Sequence, residues 1–304
     1  FATGVLLGLE AFEVDGKKLN LLREVDYFST VSGGGFPVAV YIGTKWDHGR
    51  RGDVKSQSDG TFSFADALDA HDGRMRYNLR RDYQMSLLQA GVTPECIGYI
   101  DAGDLMESKF DRFLLGAAYR KDKRSLMLAD IFVPHAADIP VRFPLWVMNA
   151  TVYENGARFF FSPGVVDAFS VTACNHRMKR FNVDGDPARM PLAVGLKASA
   201  SFPILIPATT LACDPPNDKL NRYLHLVDGG LIDNLGIMTA FELLRQDPAP
   251  RKCLIVIDAY KDTTHPHSRH RRSPSGIEMA FRIMKISLDS AHNRLPQTLA
   301  TKYA

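Results

Sequence analysis

Ser32 stands in Thr30-Val31-Ser32-Gly33-Gly34-Gly35, where the apolar run Tyr27 to Val31 gives way to three glycines and then to a long apolar stretch, Phe36 to Trp46. A strand that enters a helix through such a turn holds a serine exposed and strained, and it needs small neighbours where the backbone doubles back. The helix that follows offers amide N–H groups and a favourable dipole to negative charge developing on a substrate oxygen, the Gly33 amide first and Gly34 beside it. A serine hydroxyl also needs a base. Asp228 supplies a carboxylate in Leu226-Val227-Asp228-Gly229-Gly230, where a second strand candidate, Tyr223 to Val227, meets two glycines. In open α/β sheets the carboxyl ends of strands gather at one crevice, a rule that puts Ser32 and Asp228 together. Gly229 and Gly230 turn the chain, and Asn234 is expected to hold the Asp228 loop by side-chain hydrogen bonds. Each motif has a bland reading, a flexible or phosphate-binding loop for the first and an ordinary turn for the second. A P-loop is excluded, because no Gly-Lys-Ser or Gly-Lys-Thr follows the glycines.

The elements that must position this pair follow from spacing and turn residues. Val5, Leu6, Leu9 and Phe12 recur at helical intervals over Thr3 to Phe12, and Asp15-Gly16 marks a turn. Leu19 to Val25 reads as a short helix, Tyr27 to Val31 as a strand and Phe36 to Trp46 as a helix. The polar stretch near 47–75 reads as a surface excursion, and Met106 to Tyr119 as a helix. Leu145 to Val152 and Arg158 to Phe161 make a hairpin across Glu154-Asn155-Gly156. Leu192 to Ser201 is a helix stopped by Pro203 and Pro207, Met238 to Arg245 another, and Leu254 to Asp258 a buried strand. The Pro-, His- and Arg-containing segment near 261–275 reads as a mobile loop, before a final helix from Ile277 to His292. Strands alternating with helices predict one α/β domain spanning 1–304, with a mostly parallel central sheet covered on both faces.

Composition narrows the possibilities. The chain has 304 residues, 45% hydrophobic and 23% charged, with a formal net charge of +3. That fits weak attraction to an anionic membrane surface, and the lack of a basic stripe with interleaved aromatics argues against nucleic acid. Cys96, Cys174, Cys213 and Cys253 form no CxxC pair, so no metal and no cofactor is expected, and Cys253 reads as a small buried hydrophobe. His225 lies three residues before Asp228, an odd offset that puts the two side chains on opposite faces of a strand and speaks against a Ser-His-Asp triad. His265, His267 and His270, among Arg269, Arg271 and Arg272, read as a solvated loop rather than a metal or headgroup site.

The order of motifs resembles the patatin-like phospholipase family, which includes the calcium-independent phospholipases. The helix Thr3 to Phe12 resembles the segment after that family's oxyanion loop, and Ser32-Gly33-Gly34-Gly35 its nucleophile turn. Lys197-Ala198-Ser199-Ala200-Ser201-Phe202-Pro203 resembles its Ala-Ser-Ser-Ala-Ile-Pro stretch, and Asp228-Gly229-Gly230 with Asp233-Asn234 its Asp-Gly-Gly motif. Pro144 to Gly156, with Asn149-Ala150-Thr151, is similar to a strand of the family. The resemblance runs from about Thr3 to Asp258. It implies a three-layer α/β/α fold and a metal-free Ser32–Asp228 dyad. It also implies an ester substrate drawn from phospholipids or lysophospholipids, met at a membrane surface by a peripheral protein. Two departures stand out: Thr30 occupies the place of a glycine, and the chain opens at Phe1, where the glycine-rich oxyanion loop would have to precede it, so the sequence reads as a fragment. Two other outcomes are a catalytically impaired lipid-binding or regulatory module, and a Ser-His-Asp esterase.

Overall fold

The computed structural model describes residues 1–50, 62–80, 101–132, 143–203, 205–214 and 222–259, with 282 and 286. Helix α1 (Ala2–Glu10) leads into a small hairpin, β1 (Glu13–Val14) and β2 (Lys17–Lys18). Asp15 and Gly16 both take positive φ there, the mirror-image turn that fits the twist of a two-residue hairpin. Strand β3 (Tyr27–Val31) then enters α2 (Gly35–Arg50) through a single 3₁₀ turn, Ser32–Gly34.

The main sheet runs in the order β3, β4 (Leu145–Val152), β9 (Tyr223–Asp228), β8 (Thr209–Cys213), β6 (Val171–His176), β7 (Lys179–Asn182), with β5 (Arg158–Phe160) on the far half of β4. Among the described residues β3 and β4 are its parallel pair, and every other pairing is antiparallel. The protein is therefore α/β with a mixed sheet, not the mostly parallel one that strand–helix alternation suggests. The reason is local. Strand β6 passes to β7, and β8 to β9, with no helix between them among the described residues, and short connections can only return a chain antiparallel. The β6–β7 turn is built from Arg177 and Met178, both at positive φ, with neither glycine nor asparagine to announce it.

Helices cover the sheet where it matters. On β3, Thr30 and Phe28 face α2, whose Tyr41 ring meets Phe28 edge-on at 5.8 Å. Ser29 and Val31 face the other way, toward Gly236 at the start of α8 (Ile237–Gln246). The most enclosed element is α7 (Leu192–Ser199), all of whose residues are buried. Small residues make that possible: a Cβ on Gly195 would lie 2.8 Å from Met148 Cε and 2.9 Å from the Phe161 ring. Between β3 and β4, α3 (Phe64–Arg80), α4 (Ala102–Lys109) and the short α5 (Ala129–Phe132) add Leu68, Met106 and Ile131 to the core, and α6 (Pro163–Ala168) is capped by Ser162.

Four expectations change. Leu19 to Val25 forms turns, not a helix. The stretch near 47–75 is not simply a surface excursion, since α2 continues to Arg50 and α3 buries Phe64, Leu68 and Met75; residues 51–61 lie outside the described residues. Leu254 to Asp258 forms no strand and is largely exposed, with Ile255 at 52%, and Cys253 is exposed too. An apolar run predicts burial only where a neighbouring strand takes it up. The loop near 261–275, the helix from Ile277 to His292 (apart from 282 and 286) and Cys96 lie outside the described residues.

Candidate active site

Ser32 has φ +51°, in the left-handed region that residues with a side chain seldom enter. Such strain persists only where surrounding contacts hold it, and it concentrates at functional sites. The contacts here are specific. The Ser32 N–H donates to Ser199 Oγ at 3.0 Å, from the buried last turn of α7. Two residues up, Thr30 turns into the core, where its Oγ1 accepts the Trp146 indole N–H at 2.8 Å. Trp146 is fully buried, so this bond spares the unmet donor that an apolar residue at position 30 would leave. The threonine does not crowd the turn, because Gly35 yields the space. A Cβ there would come within 2.8 Å of Leu196 and 3.3 Å of Thr30 Oγ1. Gly33 and Gly34, by contrast, face open space and are exposed. As first residues of a helical turn their N–H groups have no intrahelical acceptor, which leaves them available to an anion.

Asp228 reaches this turn by a route other than the one expected. Strand β9 runs antiparallel to β4, with Asp228 opposite Ala150, while β3 runs parallel to β4, with Val31 opposite Asn149. Serine and aspartate thus come off oppositely directed strands that both end at the middle of β4. Their meeting point is not a shared row of carboxyl ends. The crossing depends on Gly229, where a Cβ would sit 2.4 Å from the Asn149 carbonyl oxygen, a backbone atom that cannot move aside cheaply. Asn149 itself ties the strands, its Nδ2 donating to Ser29 Oγ at 2.9 Å and to the Thr30 carbonyl at 3.0 Å.

The Asp228 carboxylate is 2% exposed. Burial pushes its pKa up to about 6, opposed by the Ser32 hydroxyl and by the Gly230 N–H, which donates to Oδ1 at 2.8 Å. The two side chains are thus within each other's influence, although Oδ2 makes no hydrogen bond of full geometry. A contact short of full hydrogen-bond geometry is common before substrate binds. A buried carboxylate with one committed oxygen and one spare, beside a strained serine, is a base placed to take a hydroxyl proton.

No family model and no curated protein matches this chain.

A cavity of about 540 Å³ adjoins the turn. Val31, Gly34, Pro37 and Asn234 line it near the serine, and Leu6 and Ile255 farther out. Asn234 makes no side-chain hydrogen bond among the described residues, so it does not brace the acid loop as expected. Asp233 does, its carboxylate accepting the Ile237 and Met238 N–H groups at 3.1 and 2.8 Å and capping α8. Its two oxygens saturate the first turn more fully than one amide oxygen would. His225 pairs with Glu154 (Nδ1 to Oε1, 2.5 Å) and with neither member of the Ser32–Asp228 pair. The described residues contain no cluster suited to a metal ion, and no described helix is long and apolar enough to cross a membrane.

Proposed function

We propose that this chain is a patatin-like acyl hydrolase with a three-layer α/β/α fold, cleaving lipid esters by a Ser32–Asp228 dyad. The observation that carries the proposal is Ser32 held at φ +51° against a buried carboxylate whose second oxygen is unspent. Asp228 takes the Ser32 proton as Oγ bonds to the ester carbonyl carbon. The exposed amides of Gly33 and Gly34 stabilise the oxyanion. When the tetrahedral adduct collapses, the ester C–O bond breaks and the proton passes from Asp228 to the leaving alkoxide. Water then gives a proton to Asp228 and its oxygen to the acyl carbon, and Ser32 recovers its hydroxyl proton as the acid departs.

The cavity beside the turn is lined by Leu6, Val31, Val38 and Ile237 and also by the charged Asp26, Arg251 and Lys252, a mixture that suits an acyl chain carrying a polar head group. A phospholipid or lysophospholipid, met by a peripheral protein at the membrane surface, fits such walls. The test is mass-spectrometric mapping of a fluorophosphonate adduct, together with hydrolysis of lysophosphatidylcholine. Adduct at Ser32 and fatty-acid release support the reading. Lipid binding with neither adduct nor turnover would mark an impaired binding module, and adduct at another serine would move the site.

A further inference from the structure

The last turn of α7 touches both members of the dyad, though neither residue that does so can reach a substrate. Ser199 Oγ accepts the Ser32 N–H at 3.0 Å, and two residues later the Ser201 carbonyl accepts the Asp228 N–H at 3.0 Å. Both serines are fully buried. Ser201 is itself fixed, its hydroxyl donating to the Lys197 carbonyl at 2.9 Å and so closing the end of the helix. Lys197, also buried, anchors the same turn to the Ala208 carbonyl through Nζ at 2.9 Å. The helix that carries these groups is enclosed on every side, so its end is among the stiffest points of the molecule.

We propose that Ser199 is a positioning residue, and that with the Ser201 carbonyl it makes the end of α7 a gauge setting the distance between the Ser32 hydroxyl and the Asp228 carboxylate. This rests on the dyad reading above. The physical need is plain. A left-handed serine has no intrinsic preference for that conformation, and the energetic cost must be met by contacts that exist only there. Most of the Ser32 turn is glycine and faces open space, so packing cannot hold it. The bond from its own amide can. That bond also commits the Ser32 N–H inward, which leaves the oxyanion to the amides of Gly33 and Gly34. The pairing is economical in chain length, since three consecutive residues set two strands that run in opposite directions.

The experiment compares Ser199→Ala and the near-isosteric Ser199→Cys with wild type in three readouts. These are the rate of Ser32 labelling by a fluorophosphonate, the kcat and KM for one ester, and residue-resolved amide hydrogen exchange. In Ser199→Ala, labelling and kcat should fall roughly ten- to hundredfold, the scale of one buried donor left unmet, with KM unchanged. Exchange at the Ser32 amide should quicken while the Asp228 amide, held by a backbone carbonyl, stays protected. Ser199→Cys, a weaker acceptor, should fall between. Equal labelling rates with unaltered Ser32 exchange would overturn the proposal. If wild type takes no label at all, the acyl hydrolase reading fails, and amide exchange alone still decides whether Ser199 holds the turn. If neither variant folds, the wild-type pattern decides: a Ser32 amide exchanging as fast as those of Gly33 and Gly34 rules the gauge out.

Discussion

Two serines in this molecule lie against acidic side chains, and they are built in opposite ways. Ser125 Oγ sits 2.7 Å from His176 Nε2, and His176 Nδ1 sits 2.7 Å from Glu107 Oε1, the connectivity of a serine–histidine–acid triad. Ser32 has no histidine, and Asp228 Oδ2 makes no hydrogen bond of full geometry. Connectivity alone would choose Ser125, where the dyad proposed above uses Ser32. Ser125, His176 and Glu107 are all less than 10% exposed, and Ser125 is not among the residues at positive φ. The Ser125 hydroxyl also has a second partner, Asp111 Oδ2 at 3.0 Å, and the charge of Asp111 is met by Arg177 Nε at 2.6 Å. Glu107 Oε2 in turn accepts the Arg177 N–H at 2.9 Å. Those bonds join α4 and the turn after it to the β6–β7 hairpin and hold it in place. The Ser32 region is poorer in bonds, and its left-handed residue is the serine itself, whereas around Ser125 that conformation falls on Arg177 and Met178 of the turn. Each region has one buried carboxylate oxygen without a hydrogen bond, Asp228 Oδ2 and Asp111 Oδ1. The Asp111 carboxylate is already paired with Arg177, but Asp228 has no cation beside it among the described residues to meet its charge.

The largest test of that contrast is exchange of function between the two regions. Ser32→Ala or Asp228→Asn should lower ester hydrolysis on the order of 10³- to 10⁴-fold, as loss of a nucleophile or its base does. Ser125→Ala should leave the rate per folded molecule within about twofold, a difference that matters little on the scale of a catalytic step. Steady-state kinetics on purified protein, corrected for folded fraction, would show it. A collapse of activity in Ser125→Ala with Ser32→Ala intact would reverse the assignment.

The second test is of stability. His176→Ala removes the partner between Glu107 and Ser125 and leaves a carboxylate buried with less compensation. Leaving buried hydrogen-bonding groups unmet costs about 1–3 kcal/mol, readable as a shift in the urea midpoint. Hydrolysis by the molecules that remain folded should not change. An unchanged midpoint would mean that the network is incidental rather than a brace.

A third test uses the buried charge of Asp228, and its sign follows from the raised pKa. An acid whose folded-state pKa lies above its unfolded value costs the folded state stability as pH rises from the unfolded pKa through the folded one. For Asp228 that window runs from the ordinary aspartate value of 3.8 to about 6, and the cost is complete above it. Asp228→Asn should therefore stabilise the protein at pH 7, by up to roughly 3 kcal/mol. The gain should fade as pH drops toward 4. Activity of the wild type should run the other way, rising with pH to a plateau above about 6 as the carboxylate becomes a base. Unfolding curves at pH 4 and 7, beside a pH–rate profile, check both signs at once. A substitution that destabilises at pH 7 would show that Asp228 serves structure instead.

Much of this was legible in the chain, and where it was not the causes are specific. The hairpin Leu145–Val152 with Arg158–Phe160, the strand Tyr223–Asp228 and the helix from Ile237 all lie where periodicity and turn residues put them. The three antiparallel strands β6, β8 and β7 went unseen, because one hairpin turns on Arg177-Met178, residue types that carry no turn signal. Ser32 and Asp228 lie within each other's influence, but not by the rule that placed them together. Strand ends that should have lined up along one crevice instead meet head-on at β4, a register no local pattern encodes. The parts played by Ser199 and Ser201 were hidden for a related reason, since hydrogen bonds between segments far apart in sequence leave no trace in spacing. What could have pointed to them was the run of small residues ending α7, whose one use is to let neighbouring backbone come close.

The smallest expected effect is at His225, and it sharpens the comparison because a triad there would need no rearrangement of the chain order, only of side chains. His225 is three residues before Asp228 on β9, and its ring pairs with Glu154 at a site where both side chains are more than 40% exposed. Exposed pairs of this kind contribute little, since solvent screens the charges and side-chain entropy opposes the contact. His225→Ala should then change stability by no more than about 0.5 kcal/mol. Hydrolysis should stay at the wild-type rate with the same pH profile, because the base that titrates near pH 6 would still be Asp228. A histidine acting as base would betray itself twice, by loss of activity in His225→Ala and by disappearance of the rise in rate with pH. Either change would mean that substrate binding turns the His225 ring across the strand to Ser32, and the dyad would have to be redrawn as a triad.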